Sequence, residues 1–463
     1  MLRKKIQEVL GAAIKSAQTA GEIIFFETPD IKVGKPPEGV EGDYATNIAM
    51  AISKIIKEPA DKVAEIVVKH LLKNKEKETW VFEEGPVVKK PGFINFFVSK
   101  EYLQKQIPEI LEKGENYGQL EIGKNKKVQV EFISANPTGP LTVGNARGGV
   151  FGDTLANVLK KAGFKTEKAY YINDYGMQVL TLGHSVLKDA EAKYKGDYID
   201  KLHERIKETD PYKAGQEAAK IIVEEMIKKT TDKAGIKYDE WFSESELYNK
   251  KEVNKVLSQL EKKGLTHEKE GALWFKSTAF GDKRDRVVIK SDGWKTYLAG
   301  DIAYHKYKFE NKKFDKVINI WGADHLDDEP GLQAGVEAIG HKGKLDIVFL
   351  QFVTIIEKSE KLRMSKRAGI YVTMDELLDK VGKDIVRFFF LTKSANTHLN
   401  FDLSLAKEQS EKNPVYYIQY AHARICSILR KTENREQKTK NKNLSLSNHP
   451  SELNLIKQLI NLH

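Results

Sequence analysis

The chain has 463 residues, of which 40% are hydrophobic, so it is too long for one ordinary domain and too apolar to be disordered. Lysine and arginine number 76 against 66 acidic residues, and the net charge of +10 favours a polyanionic partner such as nucleic acid without requiring one. The single cysteine, Cys426, excludes an internal disulfide and a cysteine-ligated zinc site. With no long apolar run and no signal-peptide pattern, we expect a cytoplasmic protein that does not enter a membrane.

Residues 1–112 are predicted to form an N-terminal α+β module. An amphipathic helix is indicated by apolar residues at helical spacing, namely Ile6, Val9, Leu10 and Ile14. A second helical stretch is predicted from Ala45 to about Leu72. The apolar run Phe93–Val98, which follows a Pro-Gly pair, predicts a strand that closes the module.

Residues 113–405 alternate between strand and helix patterns, which predicts a Rossmann-type parallel sheet with helices on both faces. The predicted strands are Lys127–Ser134, Lys165–Asn173, Val317–Trp321 and Asp346–Val353, and the helices Ala146–Ala162 and Gly331–Ile339. Residues 186–265 are charged and helical in pattern. We interpret them as a helical insertion outside the sheet.

Residues 406–463 are predicted to be helical again, as the start of an all-α C-terminal domain. A polar, Lys/Asn/Ser-rich segment, Glu433–Ser451, interrupts them and predicts a loop. A last apolar stretch, Leu453–Leu462, predicts another helix. One short helix cannot bury its apolar face alone, so we expect this domain to be very small or truncated.

The segment Phe132–Asp153 follows an apolar strand and enters a helix through a loop rich in proline and glycine. Such a turn lets backbone N–H groups approach a phosphate at a helix N-terminus. A tight structural turn explains the glycines equally well.

A second segment, Leu362–Tyr371, places Arg363, Lys366 and Arg367 on a short loop that contains serine and glycine. Clustered cations on such a loop suit a polyphosphate whose charge grows as a bond breaks. The commoner explanation for such a loop, taken in isolation, is a basic surface segment.

Together the two segments resemble the signatures of class I aminoacyl-tRNA synthetases, and longer motifs narrow the resemblance to the arginyl-tRNA synthetase family. These motifs extend over nearly the whole chain to about residue 430, and the main ones are Ala135–Leu141, Asn145–Gly149, Tyr170–Asp174, Trp321–His325, Thr397–Asp402 and Asn413–Arg424. Gly42–Asn47 and Pro91–Phe96 resemble the family's N-terminal domain. The resemblance implies that residues 1–112 bind the tRNA elbow and that residues 406–463 begin the helical anticodon-binding domain.

The resemblance implies roles for individual residues. The arginine pocket would use Glu131, Asn136, Tyr297, Asp301 and His325. Phosphate stabilisation in catalysis would use Thr142, Gly144, Asn145, Arg363, Ser365 and Lys366, and ATP would also contact Pro137, Thr138, Gly139, Arg147, Gly148, Asp324 and Met364. Contacts with tRNA would involve Phe93, Asn95, Tyr416, Tyr420 and Arg424.

Chemistry supports the pocket assignment independently, because a planar guanidinium with a fork of donors requires carboxylates and suits an aromatic wall. Glu131 ends a predicted parallel strand, where ligands bind in such sheets. Tyr297 and Asp301 would share one face of a helix. Surface salt bridges are the alternative explanation for each acid.

The first signature departs from the family pattern, since Thr142 and Asn145 stand where most members have histidines. Both can donate hydrogen bonds to phosphate oxygens, but neither carries positive charge. The expected reaction is ATP-dependent formation of arginyl-adenylate and transfer of arginine to the terminal 2′-hydroxyl of tRNA-Arg. We expect Mg²⁺ bound with ATP, no zinc and no protein-bound metal, and a monomer.

Two alternatives remain open from the sequence. The first is a related enzyme for another amino acid, such as a glutamyl or cysteinyl enzyme. The second is a catalytically weakened or non-catalytic tRNA-binding relative, which the missing histidines suggest.

Overall fold

The computed structural model describes residues 2–73, 81–83, 85–358, 360–361, 372–432 and 449–461. They fall into two compact units, one within Met1–Gln119 and Arg435–His463 and the other within Leu120–Asn434. The predicted division at residues 112 and 405 stays a prediction.

The first unit is the α+β module predicted from the sequence. Its antiparallel sheet has the strand order β1-β2-β4-β3, formed by β1 (Val33–Gly34), β2 (Tyr44–Thr46), β3 (Val87–Lys89) and β4 (Phe93–Phe96). The helices that share its core are α1 (Leu2–Thr19), α2 (Ile48–Ile56), α3 (Ala60–Lys73) and α4 (Lys100–Lys113). The apolar stripe of α1, including Ile6, Leu10 and Ile14, is fully buried.

The single helical stretch predicted from Ala45 to about Leu72 is wrong in two respects. Its first residues belong to β2, and the remainder is two helices, α2 and α3. Lys57 ends α2 in the left-handed conformation, with φ of 57°, and Pro59 lies just before α3. A left-handed C-cap followed by proline is a strong stop signal that the apolar periodicity concealed.

The last described helix, α18 (Pro450–Ile460), belongs to the first unit. Its apolar side chains Leu453, Ile456 and Ile460 join the core around α1 and α3. Polar contacts surround this seam, because the hydroxyl of Tyr44 donates to Asn461 Oδ1 at 2.6 Å and Lys457 Nζ lies 2.8 Å from Asp43 Oδ1. The apolar face of this short helix is therefore buried against the N-terminal module.

The second unit is built on a five-stranded sheet with the strand order β12-β11-β5-β6-β7, in which every neighbouring pair is parallel. The strands are β5 (Lys127–Glu131), β6 (Lys165–Ile172), β7 (Glu240–Ser243), β11 (Lys316–Gly322) and β12 (Leu345–Leu350). Helix α5 (Val143–Lys161) follows β5, and α13 (Glu329–Ala338) follows β11. The predicted Rossmann-type sheet is confirmed.

Close packing of α5 against the sheet depends on glycine. A Cβ atom added at Gly152 would lie 2.2 Å from Phe132 Cγ, well inside van der Waals contact. Gly152 therefore allows α5 to approach the residue that follows β5, as glycines do in nucleotide-binding α/β folds.

The predicted insertion at residues 186–265 is wrong as a segment wholly outside the sheet. It contains β7, which pairs with β6 as an edge strand. Only four residues long, β7 lacks the long apolar run that identified the other strands. Helix α6 (Met177–Leu187) leads into this region, whose helices are α7 (Asp197–Arg205), α8 (Pro211–Ile222), α9 (Lys228–Lys233), α10 (Glu244–Asn249) and α11 (Glu252–Lys262).

Two small sheets complete the second unit. One is antiparallel, with β8 (Thr266–Lys269), β9 (Ala272–Phe275) and β10 (Arg286–Ile289), and precedes α12 (Tyr297–Lys306). The other contains β13 (Val353–Glu357), β14 (Glu360–Lys361) and β15 (Leu399–Asp402). The remaining helices are α14 (Met374–Val381), α15 (Lys383–Leu391), α16 (Leu403–Lys407) and α17 (Pro414–Thr432). Among the described residues, no helix combines the length and apolarity that crossing a bilayer requires.

Candidate active site

The candidate site lies at the carboxyl ends of β5 and β11, between which the direction of the strand order reverses. Ligands bind at this switch point in doubly wound sheets. Immediately after β5, Ile133 and Ser134 have φ angles of 65° and 40°. Consecutive left-handed residues that are not glycine are costly, and such strain concentrates at functional sites. The turn brings Ser134 Oγ within 3.0 Å of Glu131 Oε1, to which it donates.

Helix α12 directs one stripe of side chains at this site. Tyr297, Asp301, Tyr304 and Lys308 follow one another at spacings of three or four residues, which places them on a single helical face. The helix passes into a π-helical turn, Tyr307–Asn311, that carries Lys308. Such turns are rare and frequently mark functional sites.

Glu244, the first residue of α10, faces the same region from the other side. It is 2% exposed, and its Oε2 atom has no hydrogen-bond partner among the described residues. A Cβ atom built on Gly300 would lie 3.0 Å from Glu244 Oε1 and within 3.7 Å of the hydroxyl oxygens of Tyr248 and Tyr171. A carboxylate and two phenols thus converge beside the residue that precedes Asp301.

Burial and mutual repulsion perturb the two acids strongly. Burial, followed by the nearby Glu131 carboxylate, raises the pKa of Asp301 to about 7. Burial, followed by Asp301 and Asp174, raises the pKa of Glu244 to about 8. No ion pair or hydrogen bond to the Asp301 carboxylate occurs within the described part of the chain. Asp301 is half-buried and Glu244 is buried, and neither forms an ion pair with a cation among the described residues. Unpaired acids of this kind are a candidate receptor for an organic cation.

The walls of this receptor are aromatic. Tyr171 stacks on Tyr304 with ring centroids 4.6 Å apart, and Tyr175 stacks on Tyr248 at 3.6 Å. Burial raises the pKa of Tyr297 to about 12, with Glu244 as the next cause. These phenols stay protonated at neutral pH, so their hydroxyls remain hydrogen-bond donors beside the acids.

Glu131, the predicted pocket acid on β5, already has partners on both oxygens. Lys308 Nζ lies 2.5 Å from Oε2, and Ser134 donates to Oε1. Glu131 is 7% exposed and Lys308 is fully buried. The structure therefore places Glu131 at the pocket with its charge already neutralised by a lysine.

The N-terminus of α5 forms the neighbouring part of the site. Asn145 Oδ1 accepts hydrogen bonds from both the backbone N–H and the hydroxyl of Thr142, each at 2.9 Å. The two residues that replace the signature histidines therefore fix one another at the start of the helix. No described residue accepts a hydrogen bond from the Asn145 amide nitrogen, which leaves that donor, with the helix N-terminus, for an anion.

Arg147 requires a correction. We predicted that it contacts ATP, but it is 1% exposed and its guanidinium donates to the carbonyl oxygens of Gln351, Ser394 and Thr397 at 2.6–3.0 Å. A buried arginine occupied in this way stabilises the packing of α5 on later segments. The sequence could not show this, because its backbone partners are more than 200 positions away.

Other predicted ligands line the same edge of the sheet. Asn136 Oδ1 accepts from Asn173 at 2.6 Å, and the Thr138 carbonyl accepts from the Tyr198 hydroxyl at 2.8 Å, which orders the loop through Pro137. The loop's last predicted ATP contact, Gly139, and the α5 residues Gly144 and Gly148 lie along the same stretch.

His325 and Asp324 lie at the rim of the site, directly after β11. Both side chains are more than half exposed, and His325 Nδ1 lies 3.1 Å from Asp328 Oδ2. Their accessibility is compatible with ligand contact, and the assignments stay predictions. The predicted loop residues Arg363, Met364, Ser365 and Lys366 lie outside the described residues.

The predicted tRNA contacts differ in their surroundings. Asn95 requires a correction, because its side chain is 1% exposed and donates to the Glu41 carbonyl at 2.7 Å, so it cannot read a base edge without rearrangement. Phe93 is half-buried. Tyr416, Tyr420 and Arg424 are exposed on α17. Across the described residues, no group of three His, Cys, Asp or Glu side chains could hold a metal ion.

Sequence reasoning missed Glu244, Tyr248 and Lys308. Glu244 lies in a run of alternating serines and acids inside the supposed insertion, which resembles a solvated surface. The only available signal was that the Ser-Glu-Ser run ends an aromatic strand pattern, because acids at such ends face the site.

A doubly wound parallel sheet with a helix N-terminus and a cluster of acids at its switch point has the arrangement that nucleotide-binding α/β folds use for their ligands. The sequence matches the family described as tRNA synthetases class I (R), catalytic domain, over residues 106–210 and 197–388. It also matches the arginyl tRNA synthetase N terminal domain over residues 2–98 and the DALR anticodon binding domain over residues 418–463. These features define a class I aminoacyl-tRNA synthetase, a ligase.

Relatives identify the branch of the class. The chain is 42% identical to an arginine–tRNA ligase of Caldanaerobacter subterraneus, with 99% of this chain and 85% of the relative covered. It is also 42% identical to an arginine–tRNA ligase of Bacillus subtilis, covering 93% and 81%. The solved arginyl-tRNA synthetase of Thermus thermophilus shares the fold with a TM-score of 0.72 at 21% identity, over 100% of this chain and 86% of that one. The chain belongs to the arginyl-tRNA synthetase family.

Proposed function

We propose that this chain activates L-arginine with ATP and transfers it to the terminal 2′-hydroxyl of tRNA-Arg. The observation that carries the proposal is the pair of acids, the half-buried Asp301 and the buried Glu244, which have no ion-pair partner among the described residues and lie beside several tyrosines. A guanidinium supplies a delocalised charge and a planar fork of donors that fit carboxylates and aromatic faces.

The same pocket disfavours the alternatives within the class. Glutamate would bring a further negative charge beside Asp301 and Glu244, where like charges repel at low dielectric. Cysteine would leave two buried carboxylates without a partner, which is costly. Lysine has the required charge, but its compact ammonium cannot bridge two carboxylates as a planar fork does.

In the proposed first step the arginine carboxylate attacks the α-phosphate of ATP. A P–O bond forms, pyrophosphate leaves and arginyl-adenylate results. Asn145 and the N-terminus of α5 would receive phosphate oxygens, with Gly144 allowing close approach. Arg363 and Lys366 would provide the positive charge that Thr142 and Asn145 lack, and the Ser365 hydroxyl would donate a hydrogen bond to a phosphate oxygen. We propose that Mg²⁺ accompanies ATP and leaves with pyrophosphate.

In the second step the 2′-hydroxyl of the terminal adenosine attacks the arginyl carbonyl and AMP leaves. Phe93, Tyr416, Tyr420 and Arg424 are proposed to contact tRNA through stacking and charge. A monomer and a cytoplasmic location stay predictions from the sequence.

The test is pyrophosphate exchange into ATP with arginine, lysine, glutamate and cysteine in turn, each with and without total tRNA. We expect exchange with arginine, and we expect it to require tRNA because the family resemblance implies that dependence. Asp301→Asn serves as a control that should lower arginine-dependent exchange roughly a hundredfold or more while leaving salt-sensitive tRNA binding intact. Retained tRNA binding with no exchange under any condition would instead establish a non-catalytic tRNA-binding protein.

A further inference from the structure

The feature that the proposed reaction leaves unexplained is a buried lysine in a pocket for a cation. Lys308 is fully buried in the π-helical turn that follows α12. Its Nζ lies 2.5 Å from Glu131 Oε2 and 4.2 Å from the centroid of the Tyr304 ring. Lysine is among the residues least often buried, and removing its charge from water costs several kcal/mol unless it is paired.

Lys308 and Ser134 occupy one oxygen each of the Glu131 carboxylate. This arrangement fixes the carboxylate in place and cancels its charge at short range. Asp301 and Glu244 receive no such cation from the described residues. The pocket therefore contains one acid, Glu131, that is paired with a lysine of the protein, and two acids, Asp301 and Glu244, that have no such partner.

We propose that Lys308 is a positioning residue that acts as a built-in counter-charge, so that the pocket accepts one guanidinium and holds Asp301 ready to bind it. The inference rests on the proposed function of this pocket. Without Lys308, a third carboxylate at short range would compete for the single charge of the ligand, and repulsion from Glu131 would favour a protonated Asp301.

The surrounding charges decide the sign of this effect. Besides burial, the Glu131 carboxylate raises the pKa of Asp301, Lys308 lowers it and Asp328 raises it. Lys308 also lowers the pKa of the buried His305. The other titratable groups facing this cluster include Glu244, Glu167, Glu240, Lys312, Tyr171, Tyr238, Tyr248, Tyr297, Tyr304 and Tyr307. Removing Lys308 alone therefore raises the pKa of Asp301, whereas removing Glu131 alone lowers it.

The experiment is a double-mutant cycle of Lys308→Met, Glu131→Gln and both together, read by arginine-dependent pyrophosphate exchange with tRNA from about pH 5.5 to 9. For Lys308→Met we expect the KM for arginine to rise at least tenfold near pH 7. The acidic limb of kcat/KM for arginine should move up by about one pH unit, as removing a neighbouring opposite charge does. Glu131→Gln should move the limb down, and the double variant should return it towards wild type. The KM for ATP should not change.

Lys168→Met is the matched control. Lys168 lies on the neighbouring strand β6 and pairs with the buried Asp153 at 2.6 Å, so its loss also breaks a buried ion pair. We expect this variant to lower the melting temperature without moving the acidic limb or the KM for arginine.

A purely structural Lys308 would give a different pattern. Lys308→Met would then lower the melting temperature and the active fraction, while the KM and the acidic limb of the surviving enzyme stay at wild-type values, and this would overturn the inference. If Lys308→Met does not fold, Glu131→Gln is compared with the double variant. Acidic limbs of kcat/KM at the same pH in these two variants would contradict the proposal. Absence of exchange in the wild-type chain would count against the proposed function instead.

Discussion

Two clusters of charged residues flank the same parallel sheet. They differ in whether their carboxylates form ion pairs with cations of the protein. On α5, Asp153 is paired on both oxygens, with Lys168 Nζ and an Arg387 guanidinium nitrogen each at 2.6 Å. In the pocket, Asp301 and Glu244 have no cation of their own among the described residues. An acid that is paired with cations of the protein stabilises the fold, whereas an acid without such a partner is free to bind a cationic ligand. Burial alone therefore does not distinguish a structural acid from a functional one.

The largest expected effect is a loss of arginine recognition when an acid of the pocket cluster is substituted. Asp301→Asn should lower kcat/KM for arginine roughly a hundred- to a thousandfold, because it removes one partner of a buried charge pair with the ligand. Glu244→Gln should have a smaller effect of the same kind, since Asp301 still supplies a full charge. Steady-state exchange kinetics measure both, and an unchanged KM in each would remove Asp301 and Glu244 from the pocket.

The second prediction is the opposite outcome for the α5 cluster: a substitution there should lower stability and leave arginine recognition unchanged. Asp153→Asn leaves Lys168 and Arg387 without their shared carboxylate and should lower the free energy of unfolding of the second unit by about 3 kcal/mol. The KM for arginine should stay within twofold of wild type by the criterion that distant sites act independently. Thermal unfolding combined with exchange kinetics provides the test, and a large change in KM would show that the two clusters are coupled.

The third prediction concerns protons. With raised pKa values of about 7 and about 8, Asp301 and Glu244 are partly protonated in the empty pocket near neutral pH. A bound guanidinium favours their charged forms, so arginine binding should release protons and the KM for arginine should fall about tenfold as pH rises from about 6 to 8.5. Calorimetry in buffers of different ionisation enthalpy counts these protons, and a buffer-independent binding enthalpy would argue against open acids.

The same pKa shifts determine the direction in which the free energy of unfolding changes with pH. Between about pH 4 and 8 the folded, arginine-free protein binds more protons at these two acids than the unfolded chain does, so their contribution to the free energy of unfolding falls as pH rises. Saturating arginine should reverse this trend. Melting curves with and without arginine measure the difference, which should be absent in Asp301→Asn.

The smallest effect is expected at the aromatic wall. Tyr297→Phe keeps the ring and removes a hydroxyl from a residue that is 51% exposed, so the KM for arginine should rise no more than about fivefold. Tyr297→Ala removes the wall itself and should cost more. Equal effects of the two substitutions would mean that the hydroxyl, rather than the ring, contacts the ligand.

The sequence predicted the sheet well, because β5, β6, β11 and β12 combine apolar runs with helices at regular intervals. It failed at β7, whose short run has no such pattern, and at the function of Arg147, whose partners are distant backbone atoms. Asp301 was identified through its motif and its helical spacing from Tyr297. Glu244 and Lys308 were missed because pairing of buried charges is a property of three-dimensional packing, which no local pattern records.

The position of α18 has a consequence for how the protein is made. Leu453, Ile456 and Ile460 belong to the core of the first unit, although the other buried residues of that core lie within the first 119 residues. Domains generally fold as they leave the ribosome, from the N-terminal end. Here the N-terminal module keeps part of its apolar surface uncovered until α18 is synthesised, which happens only after all of the second unit. Its final closure is therefore a late, long-range event, and the interval before it is when the nascent chain is most exposed to chaperones and aggregation.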